Sequence, residues 1–371
     1  MILSQKKLQK KPIVVIDARM IRSIPHGISR YVSELCRGLD QLHQITPLLY
    51  EPIFLTAPGL SQSFGSFQSF PIPVPFLSLT EVFKIPPALK HLHASLYHSP
   101  SFSSLWSCPC PSIITIHDLN HLIYGSWSKK LYYKSLLRRF ALQSECITTV
   151  SQFSQKELSE WLKIPAEKIE VVSNSLEFCS NNSEEQVPES QLKKYQLMSH
   201  QYFFCLSHSK PHKNLALLVE AYQMYRNQNP HSWPLVLNVS EFSQFPGVQS
   251  VGHLSTSDAR LLMSHAGGVF FPSLYEGFGL PPLEGALFGA PLAVSSIPPH
   301  REGLVDLSPD AVCWTEPNDR DGWIKAFEKI QTGQIAASSP TQRLQIVQRF
   351  SSKRLAAHMD LLYRRVLGLQ A

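Results

Sequence analysis

Short apolar runs alternate with amphipathic stretches along most of the chain. Runs such as "PIVVIDARM", "PSIITIHDL" and "GGVFFPS" are rich in β-branched and aromatic residues, which favour strands. Stretches between them, such as "KNLALLVEAYQMYRNQ", repeat apolar residues at helical spacing. Because strands that alternate with helices build parallel sheets covered on both faces, the fold class is predicted to be α/β, with doubly wound, Rossmann-like domains.

A polar segment divides this alternation into two halves. The stretch "LEFCSNNSEEQVPESQLKKYQ", residues 176–196, carries Pro188 and few apolar residues, as linkers do. A chain of 371 residues also exceeds the roughly 250–300 residues at which single cores stop growing. We therefore expect an N-terminal domain over residues 1–176, a linker over 177–198 and a C-terminal domain over 199–350. The serine- and proline-rich segment 56–87 is predicted to be a long loop with short pieces of structure.

The composition and net charge of the chain limit the classes of function that it could have. The net charge of +6 suits an anionic ligand or anionic lipid, but no dense block of Lys and Arg points to nucleic acid. No apolar stretch approaches the roughly 20 residues of a membrane-spanning helix. The apolar core "IVVI" near the N-terminus is too short for a signal peptide, and the seven cysteines are irregularly spaced. We therefore expect reduced thiols and a cytoplasmic protein, with the inner face of the membrane as a second place of action.

The most basic stretch is "SWSKKLYYKSLLRRFALQ", residues 126–143. As a helix it would place Leu131, Tyr132, Ser135, Leu136, Arg139 and Phe140 on one mostly apolar stripe, with basic residues beside it. Such a helix could rest on a membrane surface. The alternative is a solvated helix that packs on its own domain.

Three loops that follow predicted strands carry candidate chemistry. The first is "LSHSKPHKNLALL", in which Lys210 and Lys213 lie between a strand and a helix. Two cations there could stand over an anion that the free N–H groups of the helix already attract, as a nucleotide diphosphate would require. The alternative is a solvated loop with two unrelated lysines.

The second loop is "FFPSLYEGFGLPPLEGALFG", which carries Glu276 and Glu284. Pro281 suits the first turn of a helix, so Glu284 is expected in that turn, where the helix dipole would stabilise its charge. Glu276 precedes Gly277 and Gly279, which permit close approach of the backbone to a ligand. Carboxylates repel phosphates but accept hydrogen bonds from diols, so Glu284 could bind a ribose and Glu276 a sugar hydroxyl.

The third loop is "TIHDLNH", in which His117 and Asp118 follow an apolar strand of the first half. A histidine there could donate to a substrate hydroxyl or a leaving group, or it could be a structural, hydrogen-bonded side chain. A fourth motif, Asp319 and Asp321 in "PNDRDGW", has the D-x-D spacing of some metal–nucleotide sites. Because it follows a proline-containing loop rather than an apolar strand, it is predicted to cap the next helix.

Together these stretches resemble the retaining glycosyltransferases of family 4, the group 1 transferases with the GT-B fold. "YEGFGLPPLEG" looks like their E-x(7)-E signature, with Glu276 and Glu284 in register, and "SKPHKNLALLVEAY" looks like their diphosphate-binding lysine segment. "PHGISRYVSEL", "TIHDLNHL" and "TTVSQFSQKEL" match in the first half. The terminal "FSSKRLAAHMDLLYRRVL" looks like their helix that crosses back to the N-terminal domain, so we expect residues 351–371 to pack there. The resemblance covers nearly the whole chain and is densest from 207 to 302.

The resemblance implies two Rossmann-like domains that face each other across a cleft and transfer a hexose with retained configuration. It implies no metal and no resident cofactor, because the nucleotide-diphosphate sugar is a co-substrate, with GDP-mannose favoured over a UDP-sugar. The expected partners are this donor, a saccharide or lipid-linked acceptor and, at the periphery, a membrane, but no nucleic acid.

The resemblance also implies a role for each candidate residue. Lys213 and Lys210 would neutralise the diphosphate, while Glu284 would hold the ribose and Glu276 the donor sugar. His117 would lie near the sugar. Backbone groups near the phosphates would come from Phe278, Gly279 and Leu280, and from the loop at Gly27.

Several positions depart from the family pattern. The glycine and arginine that often precede the lysines are replaced by "LSHS", and Ser29 replaces a glycine in the N-terminal turn. These changes leave two other hypotheses open. A degenerate binding or partner subunit would keep the fold and lose the activity. A retaining glycosidase would use two carboxylates about 5 Å apart, and it leaves both lysines unexplained.

Overall fold

The structure, a computed structural model, describes residues 10–21, 27–60, 64–176 and 189–370. The chain forms two compact units. The first comprises Met1–Val150, Ser154–Ser175 and Ser352–Ala371, and the second comprises Ser151–Phe153 and Leu176–Ser351. Of the predicted linker, residues 177–188 lie outside the described residues, and Glu189–Tyr195 form a 3₁₀ helix.

A seven-stranded sheet forms the centre of the first unit, in the order β3-β2-β1-β4-β5-β6-β7 with all pairs parallel. The central strands are wholly buried because helices cover both faces, as their apolar runs predict. The strands are β1 (Ile13–Asp17), β2 (Glu51–Thr56), β3 (Gln68–Pro71), β4 (Ala94–Ser99), β5 (Ser112–Thr115), β6 (Cys146–Thr149) and β7 (Ile169–Val171).

The helices of the first unit connect these strands. They are α1 (Gly27–Ile45), α2 (Glu81–His91), α3 (Asn120–Ile123), α4 (Trp127–Tyr132), α5 (Arg138–Gln143) and α6 (Gln152–Leu162). A π-helical turn, Tyr133–Leu137, joins α4 to α5. Turns of 3₁₀ type, such as Ala166–Lys168, complete the connections.

The second unit repeats the arrangement with a six-stranded parallel sheet, in the order β10-β9-β8-β11-β12-β13. The order reverses between β8 and β11, which is where doubly wound sheets bind ligands. The strands are β8 (Phe203–Cys205), β9 (Leu235–Leu237), β10 (Val248–Ser250), β11 (Gly268–Phe271), β12 (Leu292–Ser295) and β13 (Val312–Thr315).

Among the described residues, six further helices belong to the second unit and one returns to the first. Those of the second unit are α7 (Leu215–Gln228), α8 (Thr256–Ser264), α9 (Leu280–Leu287), α10 (Pro298–Gly303), α11 (Arg320–Gln331) and α12 (Pro340–Arg349). The last helix, α13 (Ser352–Val366), packs against α1 in the first unit. The α/β fold class predicted from the sequence is confirmed.

The segment 56–87, predicted to be a long loop with short pieces of structure, contains the short strand β3 and the beginning of α2, which has Pro86 and Pro87 inside it. The helix forms despite its prolines because Ile85 and Leu89 are fully buried and anchor it to the core.

The buried positions of residues 126–143 differ from the apolar stripe predicted for them. Tyr133, Leu137, Phe140 and Ala141 are the buried positions, whereas Leu131 and Ser135 are exposed. The basic residues are therefore mixed with exposed apolar residues on the outer face rather than confined to its edge.

Candidate functional site

The loops that follow β8, β11 and β12 carry most of the predicted site. These strands are neighbours in the second sheet, and all run in the same direction. Their carboxyl ends therefore bring three separate stretches of sequence together. The backbone N–H of Leu274 donates to the carbonyl of His212 at 2.7 Å, which ties the first loop to the second.

The first loop is shaped by its own polar contacts. After β8, the N–H of Ser207 donates to Asn238 Oδ1 at 2.8 Å. The chain then makes a 3₁₀ turn, Pro211–Lys213, and enters α7 through Asn214, whose φ of 56° is left-handed. Asparagine tolerates this conformation better than most residues, so "KPHKN" is suited to turn sharply and aim Lys213 back over the sheet.

Lys213 and Glu276 form the central contact of the site. Lys213 Nζ lies 2.5 Å from Glu276 Oε1, and Ser273 Oγ donates to the same oxygen at 2.8 Å. The two charged side chains are only 14% and 15% exposed, so water screens them weakly. A small pocket between the two loops is lined by both side chains together with Ser207 and Ser273.

Glu276 is held ionised. Burial alone would raise its pKa, but the charge of Lys213, the neighbouring His300 and the hydrogen bonds from Lys213 and Ser273 together bring the pKa below its ordinary value. The carboxylate is therefore an acceptor of hydrogen bonds near neutral pH. It is not poised to act as a general acid.

The second loop leads into α9 through Gly279, whose φ of 90° is left-handed. A Cβ at Gly279 would also lie 2.7 Å from Cδ2 of His300, so this position requires glycine on two grounds. The next residues, Pro281 and Pro282, have no N–H group. The N–H donors of this turn are thus those of Phe278, Gly279 and Leu280, the three predicted to face the phosphates.

The side chain of His300 packs next to Gly279 in this turn. It is almost fully buried, and its Nδ1 lies 3.0 Å from the carbonyl of Ser295. Because only an N–H can donate to a carbonyl, Nδ1 carries the proton. Nε2 is buried and has no hydrogen-bond partner among the residues that the structure describes. Burial lowers the pKa of His300 to about 4, against the opposing effect of Glu276. His300 is therefore neutral near pH 7.

Glu284 differs from its prediction in one respect. It is buried at 6% exposure on α9, but it lies in the second turn, and the first turn holds no acidic residue. The helix begins at Leu280 because Gly279 provides the left-handed N-cap, one residue before the predicted start. The helix dipole stabilises negative charge mainly within the first turn. It therefore does not account for the carboxylate at this position.

The other predicted residues of the second unit lie around this centre. Lys210 is exposed and precedes the 3₁₀ turn, and His208 beside it has a pKa lowered by burial, by Lys213 and by Lys210. Phe278 is buried against Phe350, with ring centroids 5.3 Å apart. The structure thus brings the two lysines, the 278–280 turn and both glutamates together in one unit.

His117 and Gly27 belong to the first unit. His117 follows β5, and its Nε2–H donates to the carbonyl of Pro100 at 2.9 Å, with its ring perpendicular to that of Tyr31. This contact is the structural hydrogen bond that the sequence left open as one of two roles for His117. Gly27 begins α1, and among the described residues no atom lies within 4 Å of the position a Cβ would occupy, so none of them requires glycine there.

Sequence reasoning missed Ser273 and His300. Both follow strands, at the carboxyl ends of β11 and β12, and a search of every such loop could have found them. Their contacts with Glu276 and Gly279 are visible only in three dimensions. The prediction for the D-x-D motif is confirmed, because Asp319 caps α11 by accepting from the N–H of Gly322.

Comparison with known proteins agrees with this geometry. A sequence model described as Glycosyltransferase Family 4 matches residues 25–177. The "O-antigen chain mannosyltransferase RfbU" of Salmonella typhimurium is 24% identical over 228 residues, which cover 59% of this chain. The "O-antigen chain mannosyltransferase B" of Escherichia coli is 27% identical over 252 residues, or 63% of this chain. Residues 25–177 are therefore similar to glycosyltransferase family 4. The matches span 60% and 64% of these two relatives' own lengths.

Solved structures extend the likeness from the sequence to the fold. Anabaena HepE, solved in complex with UDP and glucose, superposes with a TM-score of 0.68 at 16% identity. The alignment covers 95% of this chain and 100% of that structure. The chain therefore has the GT-B fold.

Within the parts of the chain that the structure describes, no helix combines the length and the apolar character that a bilayer crossing requires.

Proposed function

We propose that the chain transfers a mannosyl residue from a nucleotide-diphosphate sugar to a saccharide or lipid-linked acceptor, with retention of configuration. The observation that carries the proposal is the ion pair between Lys213 and Glu276 at the switch point of the second sheet. A diphosphate needs a cation, and a sugar needs an acceptor for its hydroxyls. This pair supplies both within one pocket.

Donor binding would exchange the partners of this pair. Without a donor, Lys213 and Glu276 neutralise each other in a largely buried place. A diphosphate would take the place of Glu276 as the partner of Lys213, with Lys210 as the second cation. Glu276 would then accept from a hydroxyl of the donor sugar. Neither charge is left uncompensated, which avoids the several kcal/mol that an unpaired buried ion costs.

The remaining roles follow from position. The N–H groups of Phe278, Gly279 and Leu280 are placed to donate to phosphate oxygens at the start of α9. Glu284, buried on the same helix, would accept from the ribose diol. The loop at Gly27 is assigned to the phosphates and His117 to the sugar.

Retention is proposed without a protein nucleophile. Cleavage of a glycosyl phosphate requires that the leaving charge be stabilised and that the oxocarbenium-like sugar be held in place. Lysines and backbone N–H groups do the first, and Glu276 does the second. The leaving phosphate would help to deprotonate the acceptor.

The identity of the sugar rests on the relatives. Both curated relatives described above are named as O-antigen mannosyltransferases, which supports a mannosyl donor and a polysaccharide acceptor. HepE was solved with UDP, which keeps a UDP-sugar as the second candidate beside GDP-mannose.

The glycosidase hypothesis is less well supported by the site. A retaining glycosidase needs one carboxyl group whose pKa is raised so that it protonates the leaving oxygen. The pKa of Glu276 is lowered by Lys213 instead. The partner-subunit hypothesis predicts a site without nucleotide-sugar affinity, so one experiment separates it from the proposal.

A donor screen tests the proposal directly. The purified chain would be heated with GDP-mannose, UDP-glucose, UDP-galactose or no addition, since a ligand that binds the folded state raises the melting temperature. We expect stabilisation by GDP-mannose and transfer to a mannose-containing oligosaccharide with an α linkage seen by NMR. Absence of stabilisation by every nucleotide sugar would favour the partner subunit. Release of sugar from an oligosaccharide without a donor would favour the glycosidase.

We further propose that the first unit contacts an anionic membrane surface through the α3–α4 region. Residues 119–144 contain no acidic residue, while Lys129, Lys130 and Lys134 lie on or beside the outer face of α4. Trp127 is 78% exposed, and Ile123, Tyr124 and Leu131 are also exposed close by in sequence. Exposed aromatic and aliphatic residues among lysines suit the headgroup region of an anionic bilayer.

A vesicle assay tests this contact. Lys130→Glu with Lys134→Glu should weaken binding to phosphatidylglycerol-containing vesicles at least about tenfold, because each lysine near such a surface contributes about 1 kcal/mol. The matched control is Lys325→Glu with Lys329→Glu on α11, which makes the same charge change in the second unit. Equal loss in both variants, or equal binding to neutral phosphatidylcholine vesicles, would contradict the contact.

A further inference from the structure

Two cysteines of the first unit lie side by side in a crevice away from the candidate site. Cys108 and Cys110 belong to the segment "SCPCPS" that leads into β5, and their sulfur atoms are 3.9 Å apart. Both side chains are partly exposed. They line a crevice of about 400 Å³ together with Phe140, Gln143 and Glu145.

The pair differs chemically from the other cysteines that the structure describes. Cys36, Cys146, Cys205 and Cys313 are buried, and burial raises the pKa of each thiol. In contrast, the hydrogen bond with Cys110 lowers the pKa of Cys108, and that bond together with burial raises the pKa of Cys110. The contact between the two sulfur atoms allows either to be the S–H donor, and the direction of the two pKa shifts favours Cys108 as the thiol that ionises first. Thiolates, rather than thiols, attack disulfides.

From this geometry we infer that Cys108 and Cys110 form a reversible dithiol site that reacts with low-molecular-weight disulfides such as oxidised glutathione. The crevice gives such a molecule access to Cys108, and the second thiol is already in contact with the first. The backbone from 107 to 111 is neither helix nor strand, so the loop can bend to shorten the sulfur–sulfur distance without breaking a ladder of hydrogen bonds.

The reaction has two balanced steps. The Cys108 thiolate attacks one sulfur of the small disulfide, forming a mixed disulfide and releasing one thiolate. Cys110 then gives up its proton to that thiolate and attacks the sulfur of Cys108. This forms the Cys108–Cys110 bond and releases the second small molecule as a thiolate, which takes up from water the proton that Cys108 lost when it ionised. The protein dithiol loses two electrons and two protons, and the small disulfide is reduced to two thiols.

The site is separate from the sugar chemistry within its own unit. Cys110 lies just before the amino end of β5, whereas His117 follows the carboxyl end of the same strand. Oxidation of the pair is therefore expected to leave donor affinity unchanged. The inference does not depend on the proposed function.

Thiol mapping of the folded, full-length protein tests the inference. After incubation with oxidised glutathione, free thiols would be alkylated and the 107–111 peptide analysed by mass spectrometry. We expect an internal disulfide between Cys108 and Cys110 that dithiothreitol reverses, while the buried cysteines stay reduced.

Two variants show the order of attack. Cys110→Ser should accumulate one glutathionyl adduct on Cys108, because the resolving thiol is missing. Cys108→Ser should form an adduct on Cys110 at least about tenfold more slowly, since its thiol ionises less readily. Equal rates in the two variants, or a wild-type pair that stays alkylatable at every ratio of oxidised to reduced glutathione, would overturn the inference.

Discussion

At the scale of single residues, the candidate site depends on the pairing of a largely buried carboxylate with a lysine. Glu276 stays ionised in a mostly buried place because Lys213 and Ser273 both donate to Oε1. The residues are 63 positions apart in the sequence, so only the neighbouring strands β8 and β11 bring them together. Sequence reasoning named both residues as candidates, whereas their direct pairing follows from the three-dimensional arrangement.

The pair should show coupled energetics. Lys213→Ala leaves Glu276 without its cation and should destabilise the second unit by about 2 kcal/mol near pH 7. The double change Lys213→Ala with Glu276→Gln should cost clearly less than the sum of the single changes, because the uncompensated charge is gone. Urea unfolding of the four proteins measures this.

The control for this cycle is an exposed ion pair of the same unit. Arg320 Nη1 lies 2.8 Å from Glu220 Oε1, with both side chains about half exposed. Arg320→Ala should change the stability by under about 1 kcal/mol. If both pairs gave the same small coupling, burial of the Lys213–Glu276 pair would have no energetic consequence and the charge argument would be wrong.

At the scale of elements, α13 is held to the first unit by close packing on α1. A Cβ at Gly38 of α1 would lie 2.6 Å from Cβ of Ala356 and would also meet the carbonyl of Ser352. The helix backbones therefore approach as closely as they do because Gly38 has no side chain.

Gly38→Ala should consequently destabilise the first unit by about 1–3 kcal/mol, although alanine favours helices more than glycine. The matched control is Gly303→Ala at the end of α10, where the nearest atom would lie 3.5 Å away in ordinary contact. Thermal unfolding compares the two. A Gly38→Ala variant as stable as the control would show that α13 does not pack this closely.

A buried histidine also links α13 to the sheet. His98 on β4 is fully buried, with Nδ1 2.6 Å from the hydroxyl of Tyr363 on α13 and Nε2 2.9 Å from Oγ1 of Thr115. Burial, with a smaller effect from His117, lowers the pKa of His98 to about 3. The folded-state value lies below the ordinary value of about 6.5, so the unfolded chain takes up a proton that the folded chain refuses.

The stability that neutral His98 contributes should be complete above about pH 6.5 and lost as the pH falls toward 3. Between pH 7 and pH 5 the wild type should lose about 2 kcal/mol more than His98→Gln, which cannot titrate. His91→Gln, at an exposed position on α2, should keep the wild-type pH dependence. Parallel curves for wild type and His98→Gln would show that His98 is not buried in its neutral form.

At the scale of the whole molecule, the chain builds two parallel sheets with the same kind of strand order around a central reversal. The apolar runs predicted the buried strands well, because a strand covered on both faces has to be apolar throughout. The edge strand β3 escaped prediction because its residues are mostly exposed and show no such run. The helix α2 was not predicted because it contains two prolines, and packing rather than helix propensity stabilises it.

The candidate site, like the fold, could be predicted only in part from the sequence. Glycines, lysines and glutamates at strand ends are visible in the sequence, and the resemblance to family 4 gave them roles. The neutral state of His300, the donor contact of Ser273 and the proton on Nε2 of His117 are set by neighbours distant in sequence. Tertiary contacts decide such states, so they could not be predicted from local pattern.

The central claim is that Glu276 and Lys213 form a nucleotide-sugar site, and kcat/KM for donor turnover tests it most directly. Using the nucleotide sugar that stabilises the protein most, Glu276→Gln should lower kcat/KM by about 100-fold or more, because it removes the charged acceptor that positions the sugar. Glu220→Gln, which removes an exposed carboxylate of the same unit, should keep the wild-type value. A Glu276→Gln variant with wild-type kcat/KM, folded and stabilised by the donor, would contradict the account.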